Sequence, residues 1–252
     1  MELLEWDAHS YDALPLPHTR WGAGVLDRLA LQGDETVLDI GCGTGRDTQQ
    51  LLLRLPRGRV FAVDGSRQML AALRDRLPTE PRLSAYRADL REDLGLPQIG
   101  GRTVPLDAAM SVATLHWLPD HEPLFVRLHE ALRPGGMFVA ECGGAGNIAA
   151  VRTAVAAVAG SDGAEVWNFA DADTTGKRLD AVGFRDVETA LVPDPARLER
   201  GEQLEAYLAT VVLGPHVRAL PAPERRPFVR AVAAQLAEPE IDYVRLRIRA
   251  RA

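Results

Sequence analysis

The sequence is poor in cysteine and has no long apolar run. Cys42 and Cys142 are its only cysteines in 252 residues, too few for a disulfide framework or a cysteine-built metal site. No apolar stretch approaches the roughly 20 residues that span a bilayer. The acidic start also lacks the basic and apolar regions of a secretory signal. These absences predict a cytoplasmic protein that binds no metal and does not associate with a membrane.

Acidic residues outnumber basic ones. The chain has 29 Lys and Arg residues against 35 Asp and Glu residues, which gives a net charge of -6. Such a chain has no overall attraction for a polyphosphate backbone, so nucleic acid is not expected as a partner. A small-molecule substrate fits the charge better, and we expect a monomer or a homodimer.

Hydrophobic residues, in contrast, make up 46% of the chain, enough for one large domain with a substantial core. Short apolar runs alternate with amphipathic segments, which is typical of parallel strands joined by crossover helices, so the pattern predicts an α/β fold. Strands are predicted at 36–40, 59–63, 83–87, 106–112, 137–142, 184–191 and 243–250. Helices are predicted at 21–31, 46–55, 67–77, 123–132, 147–158 and 175–182.

Two segments depart from this alternation of strands and helices. The run Arg133-Pro134-Gly135-Gly136 predicts a helix stop and a turn before the fifth strand. Residues 195–240 are too long for an ordinary connection and have apolar residues at helical spacing, which indicates a helical cap. We therefore expect an N-terminal helical lid segment at 1–30, a core at 31–194 and 241–252, and a cap insertion at 195–240.

The most informative stretch is a glycine-rich loop that follows the first predicted strand. It carries Gly41, Gly43 and Gly45 at every second position, so the backbone can turn sharply and approach a ligand closely. The next helix points its amide groups toward that ligand. Dinucleotide sites usually read G-x-G-x-x-G, and Asp39, just before the loop, would repel a pyrophosphate. The same carboxylate would favour the ammonium and sulfonium groups of S-adenosylmethionine.

Aspartates also end the next two strands. Asp64 follows Gly45 by 19 positions, where a carboxylate can accept hydrogen bonds from both hydroxyls of a ribose. Asp89 ends the third strand and could accept from an adenine amino group while Leu90 packs on the ring. Either aspartate alone could be a helix-capping residue. Their order on successive strand ends favours a nucleoside site.

These motifs together resemble those of a known family. The order of Asp39 with the glycine loop, Val63-Asp64, Ala88-Asp89, the strand that leads to His116-Trp117 and the Arg-Pro-Gly-Gly turn is similar to that of the class I methyltransferases. Within them the chain most resembles the trans-aconitate methyltransferase-like group. The resemblance implies a Rossmann-like sheet of seven strands, mostly parallel with the last antiparallel, and helices on both faces.

The resemblance also implies where S-adenosylmethionine would lie. Its methionine part would lie near Asp39 and Gly41, its ribose at Asp64 and its adenine at Asp89 and Leu90, with the segment that contains Tyr11 folded over it. The predicted cofactor-binding residues are Tyr11, Arg20, Asp39, Gly41, Cys42, Gly43, Asp64, Gly65, Met69, Asp89, Leu90 and Ser111.

The sequence departs from the family at two points. Relatives have an arginine pair after the N-terminal tyrosine, whereas here Tyr11 is followed by Pro15, Pro17, His18 and Arg20. With only Arg20 kept, recognition of a polycarboxylate is disfavoured. The chain also lacks an Asn-Pro-Pro-Tyr motif after the fourth strand, which disfavours methylation of a base or amide nitrogen.

Methyl transfer requires alignment of donor and acceptor, exclusion of water and, for a poorly acidic acceptor, removal of a proton. His116, just beyond the fourth strand, is the candidate general base, although packing beside Trp117 is an alternative role. Trp167, Phe169 and Phe228 could line an acceptor pocket or belong to the core.

The last predicted strand alternates apolar residues with arginines at 245, 247, 249 and 251. This spacing buries one face and makes the other cationic. We expect a solvated or subunit-facing arginine row. The alternative is that Tyr243 and Arg245, at the start of the strand, meet an anionic acceptor.

The sequence thus predicts an S-adenosylmethionine-dependent methyltransferase of a small molecule, acting on a carboxylate or hydroxyl oxygen. Methylation of carbon or nitrogen in a specialised metabolite is the alternative within this class. A non-catalytic module that binds S-adenosylmethionine and a nicotinamide-dependent oxidoreductase are the alternatives outside it.

Overall fold

The computed structural model describes residues 3, 5–14, 17–96, 98–99 and 102–252. The predicted lid segment 1–30 is therefore described only in part, and Pro15 lies outside the described residues. The strands are β1 Thr36–Ile40, β2 Arg59–Asp64, β3 Leu83–Arg87, β4 Gln98–Ile99, β5 Arg102–Thr103, β6 Leu106–Val112, β7 Leu132–Gly143, β8 Arg185–Pro193, β9 Ala196–Arg197, β10 Glu240–Ile241 and β11 Val244–Arg251.

Seven of these strands form one sheet in the order β3-β2-β1-β6-β7-β11-β8. β1, β2, β3, β6 and β7 pair in parallel, whereas β11 is antiparallel to both of its neighbours. The carboxyl ends of the parallel strands and the start of β11 consequently lie at the same edge. The predicted fold class is confirmed.

Helices cover both faces of the sheet because its central strands are apolar on both sides. The helices are α1 Ala8–Asp12, α2 His18–Arg28, α3 Arg46–Arg54, α4 Arg67–Arg76, α5 Glu122–Ala131, α6 Ala149–Ala159, α7 Ala172–Val182, α8 Glu202–Tyr207, α9 Gly214–Ala219 and α10 Ala222–Gln235.

The two faces have separate apolar cores. On one face, Val37 and Met110 pack with residues of α2 and α3. On the other, Leu38 and Ala109 pack with residues of α5 and α7. This division follows from the period of two along a strand, which sends neighbouring side chains to opposite faces.

The helices between β8 and β11 build a third apolar cluster beside the sheet. Leu204, Leu208 and Val232 pack there against α6 and against Trp21 of α2. Most of the residues at 195–240, where the sequence predicts a helical cap, lie in helices, including a π-helical turn at Leu208–Val212.

Element bounds differ from the predicted ones by a few residues where a cap residue decides them. α7 begins at Ala172 because Asp171 caps it, with its side chain accepting from the N–H of Thr174. The Arg-Pro-Gly-Gly run does end a helix, since α5 stops at Ala131. The run itself lies inside β7 as an irregularity, where the pairing of β7 with β6 shifts register.

Among the described residues, no helix is both long and apolar enough to span a bilayer.

Candidate active site

A cavity of about 690 Å³ opens along the carboxyl edge of the sheet. Its volume falls within the range of about 300–1,000 Å³ that is typical of small-molecule sites. Gly41, Asp64 and Asp89 line one half, beyond β1, β2 and β3, while His116 and Arg245 line the other half, beyond β6 and at the start of β11. Open α/β sheets bind ligands at this edge.

The glycine loop follows β1 and has a backbone that other residues would strain. Gly41 has φ of +71°, and a Cβ on it would lie 2.0 Å from Oγ1 of Thr114. Gly45 has φ of +81° and directly precedes α3. Gly41 and Gly43 line the cavity, and Gly45 leads directly into the N-terminus of α3.

Asp64 holds the loop and the next helix together. Its Oδ2 accepts from the N–H of Gly43 at 2.9 Å, and its Oδ1 accepts from the N–H of Ser66 at 2.8 Å. Burial raises the pKa of Asp64, and these two hydrogen bonds act in the opposite direction. Its carboxylate retains further lone pairs toward the cavity.

Asp39 lies beneath the loop rather than in the cavity. It is 2% exposed, and its Oδ2 accepts from Oγ1 of Thr48 at 2.6 Å. Burial and the nearby Asp47 raise the pKa of Asp39 to about 7, and burial raises the pKa of Asp47 to about 6. These acids favour a cation above the loop because a positive charge there would stabilise their ionised forms.

The far end of the first half is formed by residues after β3. Asp89 accepts from Nε of Arg91 at 2.8 Å and from its Nη2 at 2.5 Å, and this ion pair lowers the pKa of Asp89. Leu90 and Met69 are buried beside it and also line the cavity. An aromatic ring with a polar edge fits this combination of apolar surface and carboxylate.

The N-terminal segment contributes to the cavity wall and is tied to the core by ion pairs. Asp12, at the end of α1, pairs with Arg46 at 2.8 Å and with Arg76 at 2.6 Å. Tyr11 and Trp6 line the cavity. Burial raises the pKa of Tyr11 above its usual range, so its phenol is neutral near pH 7 and can act as a hydrogen-bond donor.

His116 lines the second half of the cavity, and its ring is fixed by the sheet. The N–H of Gly143, at the end of β7, donates to its Nδ1 at 3.3 Å. Burial and the positive charge of Arg245 lower the pKa of His116 well below its usual value. A neutral imidazole that accepts at Nδ1 carries its proton on Nε2. Its free nitrogen is therefore a hydrogen-bond donor.

Arg245 supplies a buried positive charge beside His116. Its side chain is 1% exposed, and its guanidinium lies 3.7 Å from the ring centroid of Trp21. Glu141, also buried, is 3.7 Å from Nε of Arg245, but it also pairs with Arg247 at 2.9 Å and Arg28 at 3.3 Å. The carboxylate of Glu141 is thus shared by the guanidinium groups of Arg28, Arg245 and Arg247. The Nε of Arg245 has no hydrogen-bond partner among the described residues.

This buried arginine corrects the expectation of a solvated row along β11. Arg247, Arg249 and Arg251 are part-exposed and pair with Glu141, Glu188 and Asp186, respectively. Arg245 is buried because it stands at the ligand edge, where Trp21 and Tyr243 cover it.

The predicted site residues divide into two groups. Those that line the cavity are Tyr11, Gly41, Gly43, Asp64, Gly65, Met69, Asp89, Leu90 and His116. The others lie outside its lining: Arg20 pairs with Asp194 at 2.6 Å, Cys42 packs with Leu70 and Leu73, Ser111 donates to the carbonyl oxygen of Ile40 at 3.0 Å, and Asp39 lies beneath the loop. In the described part of the chain, no group of three His, Cys, Asp or Glu is arranged to hold a metal ion.

Some cavity residues belong to no sequence motif and were not predicted. Trp6, His18 and Trp21 come from the N-terminal segment and line the cavity. Trp21 and His18 are in ring contact at 4.6 Å. Their spacing on α2 was the only available signal, and it does not distinguish a cavity wall from a core.

Comparisons with known proteins agree with the geometry. Residues 38–138 match a family model described as a methyltransferase domain. Trans-aconitate 2-methyltransferase of Acidovorax sp. (strain JS42) is 34% identical over 137 residues, which is 54% of this chain and 49% of that protein. The chain thus spans about half the length of the curated relatives that it matches.

Solved structures share the fold at low identity. Phosphoethanolamine N-methyltransferase 2 of Haemonchus contortus, solved with phosphomonomethylethanolamine and S-adenosylhomocysteine, has a TM-score of 0.62 and 18% identity, over 92% of this chain and 52% of that one. An S-adenosylmethionine-dependent methyltransferase of Mesorhizobium loti has a TM-score of 0.56 and 22% identity, over 93% and 98%. The resemblance to class I methyltransferases, and within them to the trans-aconitate group, is confirmed by these matches.

Proposed function

We propose that this protein is an S-adenosylmethionine-dependent methyltransferase that acts on a carboxylate oxygen of a small molecule. The methyltransferase domain, the open glycine loop and the acids beside it support the choice of donor. The relatives named trans-aconitate 2-methyltransferase support a carboxylic acid as acceptor. The cytoplasm as compartment and the absence of a nucleic-acid partner are part of the same proposal.

The observation that carries the choice of acceptor is Arg245. It is a buried guanidinium that shares its one carboxylate partner with two other arginines. A buried charge with incomplete pairing is costly, and an anion in the cavity would complete its pairing. Nε2–H of His116 provides a second donor for the same anion.

The residues of the chain fit S-adenosylmethionine on three counts. Gly43 lines the cavity and has open space where a side chain would stand, Asp64 offers an acceptor for ribose hydroxyls, and the negative charge near Asp39 suits the cationic end. When bound, S-adenosylmethionine supplies a methyl group on a sulfonium sulfur. The protein then has to bind and align the acceptor and keep water out.

The roles of the residues in the second half follow from this requirement. Arg245 and His116 would hold the acceptor carboxylate, so that one of its oxygens points toward the glycine loop. A carboxylate is already ionised near pH 7 and needs no general base. The neutral, donor-oriented imidazole of His116 suits such an acceptor better than it suits a hydroxyl.

The experiment is a transfer assay with methyl-labelled S-adenosylmethionine and a panel of carboxylic acids. We expect label in a product that mild alkali hydrolyses to release methanol, since a methyl ester is base-labile and a methyl ether is not. Alkali-stable label would contradict the carboxylate as acceptor. Donor binding with no transfer to any acid would instead favour a non-catalytic binding module.

A further inference from the structure

The cavity has very little positive charge to offer an acceptor. Among the described residues that line it, only Arg91 and Arg245 are arginines, and no lysine lines it. Arg91 forms a two-point ion pair with Asp89 at the far end. Arg245 is therefore the one guanidinium in the acceptor half of this lining.

The histidines near Arg245 add no charge. Burial lowers the pKa of His18 to about 3, and it lowers the pKa of His116 well below its usual value. Both rings are neutral near pH 7. Arg20, which the family resemblance associates with polycarboxylate recognition, is 63% exposed and pairs with Asp194 outside this cavity. The acceptor half thus offers one positive charge and a few neutral donors.

The rest of this half is largely apolar and aromatic, and the polar members of its lining include Asn147, Asn168 and the carboxylate of Glu165, which adds no positive charge. Trp167 and Phe169 stack with ring centroids 5.7 Å apart and an interplanar angle of 12°. Trp117 meets Trp6 edge-on at 5.1 Å. Further apolar lining comes from Val166, Val211, Val212 and Pro215. Such a wall binds a flat or elongated apolar body through desolvation and dispersion.

We propose that the acceptor is a monocarboxylic acid with an apolar, ring-bearing body. Its single carboxylate would meet Arg245 and His116, and its body would lie against Trp167 and Phe169. A tricarboxylate could pair only one of its carboxylates with Arg245. Its other carboxylates would lie against apolar rings with no cation to pair with, which disfavours binding. This inference rests on the proposed function and narrows its substrate class.

The test measures binding and transfer for three probes of defined charge. Cinnamate carries one carboxylate on an aromatic body, cinnamamide is its neutral counterpart, and trans-aconitate carries three carboxylates. Titrations are made into the complex with S-adenosylhomocysteine, so that no turnover occurs. We expect cinnamate to bind at least about tenfold more tightly than either of the others. Only cinnamate has both a single carboxylate to pair with Arg245 and an uncharged aromatic body to lie against Trp167 and Phe169. Transfer assays with labelled S-adenosylmethionine should follow the same order.

Matched arginine variants test the role of the guanidinium. Arg245→Lys keeps the positive charge but loses the planar guanidinium, which can donate two parallel hydrogen bonds to a carboxylate. It should weaken cinnamate binding about tenfold or more. Arg249→Lys is the control on the same strand, since Arg249 pairs with Glu188 and does not line the cavity. It should leave cinnamate binding within about twofold. Unchanged affinity for S-adenosylhomocysteine reports that Arg245→Lys is folded.

The outcomes separate this inference from the proposed function. If the wild-type protein binds S-adenosylhomocysteine and methylates trans-aconitate in preference to cinnamate, the proposed function stands and the inference is overturned. Failure of all three probes to bind the complex also overturns the inference. If S-adenosylhomocysteine itself does not bind, the proposed function fails. The wild-type comparison decides the question even where a variant does not fold.

Discussion

His116 is a positioning donor in this account, because Gly143 already occupies its Nδ1. We predict that His116→Gln, which can keep an N–H near the place of Nε2, retains most of the single-turnover rate. His116→Ala should lose about 10- to 100-fold, as expected for a hydrogen bond to a charged group. Wild-type rates should show no inflection from this imidazole between pH 5 and 9, because its pKa lies well below its usual value.

His129 offers a control for the His116 variants. His129 contacts Phe184 and does not line the cavity, so His129→Gln should leave the rate unchanged. A His116→Gln variant as slow as His116→Ala, with a loss of about 10²–10⁴-fold and a pH inflection in the wild type, would identify His116 as a general base.

Asp39 combines a functional charge with a cost in stability. Its pKa of about 7 in the folded protein exceeds the value of about 3.9 in an unfolded chain. The folded state therefore binds this proton more tightly, and the stability that the proton contributes is lost as pH rises from about 4 to about 7. We predict that Asp39→Asn raises the free energy of unfolding at pH 8, by an amount on the order of a few kcal/mol, and has little effect at pH 4.

Urea unfolding of the wild type and Asp39→Asn at the two pH values checks this prediction. Asp107→Asn is the control, since Asp107 accepts from the N–H of Thr36 and pairs with Arg133, and its loss should destabilise the protein at pH 8. If Asp39→Asn is also less stable than the wild type at pH 8, the assigned burial cost is wrong. The variant should in addition bind S-adenosylmethionine more weakly, because it removes the negative charge near the loop.

At the scale of elements, we propose that the N-terminal segment and helices α8 and α9 form a lid over both substrates. Glu5 accepts from Oγ of Ser66 at 2.9 Å, and the guanidinium of Arg218 on α9 lies 5.4 Å from the ring centroid of Trp6. α8 packs on the core through apolar residues such as Leu204, whereas the N-terminal segment meets α9 and is held to the core in part through polar contacts. Contacts of this kind open more readily than a packed core.

The lid predicts a change in hydrogen exchange. Amides in 5–14 and 202–219 should exchange more slowly when S-adenosylhomocysteine and an acceptor acid are added, whereas amides in α7 should not change. Mass spectrometry of exchanged peptides measures both. Complete protection of the two segments without ligands would contradict a lid.

The elements were largely predictable from the sequence, and parts of the site were not. Strands such as β1 and β6 follow from apolar runs bounded by turn residues, and Asp64 and Asp89 follow from strand ends. The alternation along β11 predicted arginines on one face but not the burial of Arg245, which depends on Glu141 of β7 and Trp21 of α2. Contacts between elements distant in the sequence cannot be derived from local periodicity.

At the scale of the whole molecule, the strand order divides the cavity into its two halves. The order β3-β2-β1-β6-β7-β11 brings the acids of the first strands to one side and Arg245 to the other. The antiparallel direction of β11 carries the start of that strand, and so Arg245, to the ligand edge. A donor half rich in carboxylates and an acceptor half with one cation follow from this topology.

Calorimetric titration with S-adenosylmethionine is the decisive experiment, because the roles proposed for both halves of the cavity depend on the donor site. We predict one site per chain in the wild type, and binding weaker by about 1.5–3 kcal/mol in Asp64→Ala, which loses a charged acceptor. Asp107→Ala, which removes a carboxylate that also accepts from a backbone N–H but does not line the cavity, should bind like the wild type. No binding by the wild type, or equal affinity in a folded Asp64→Ala, would contradict the account.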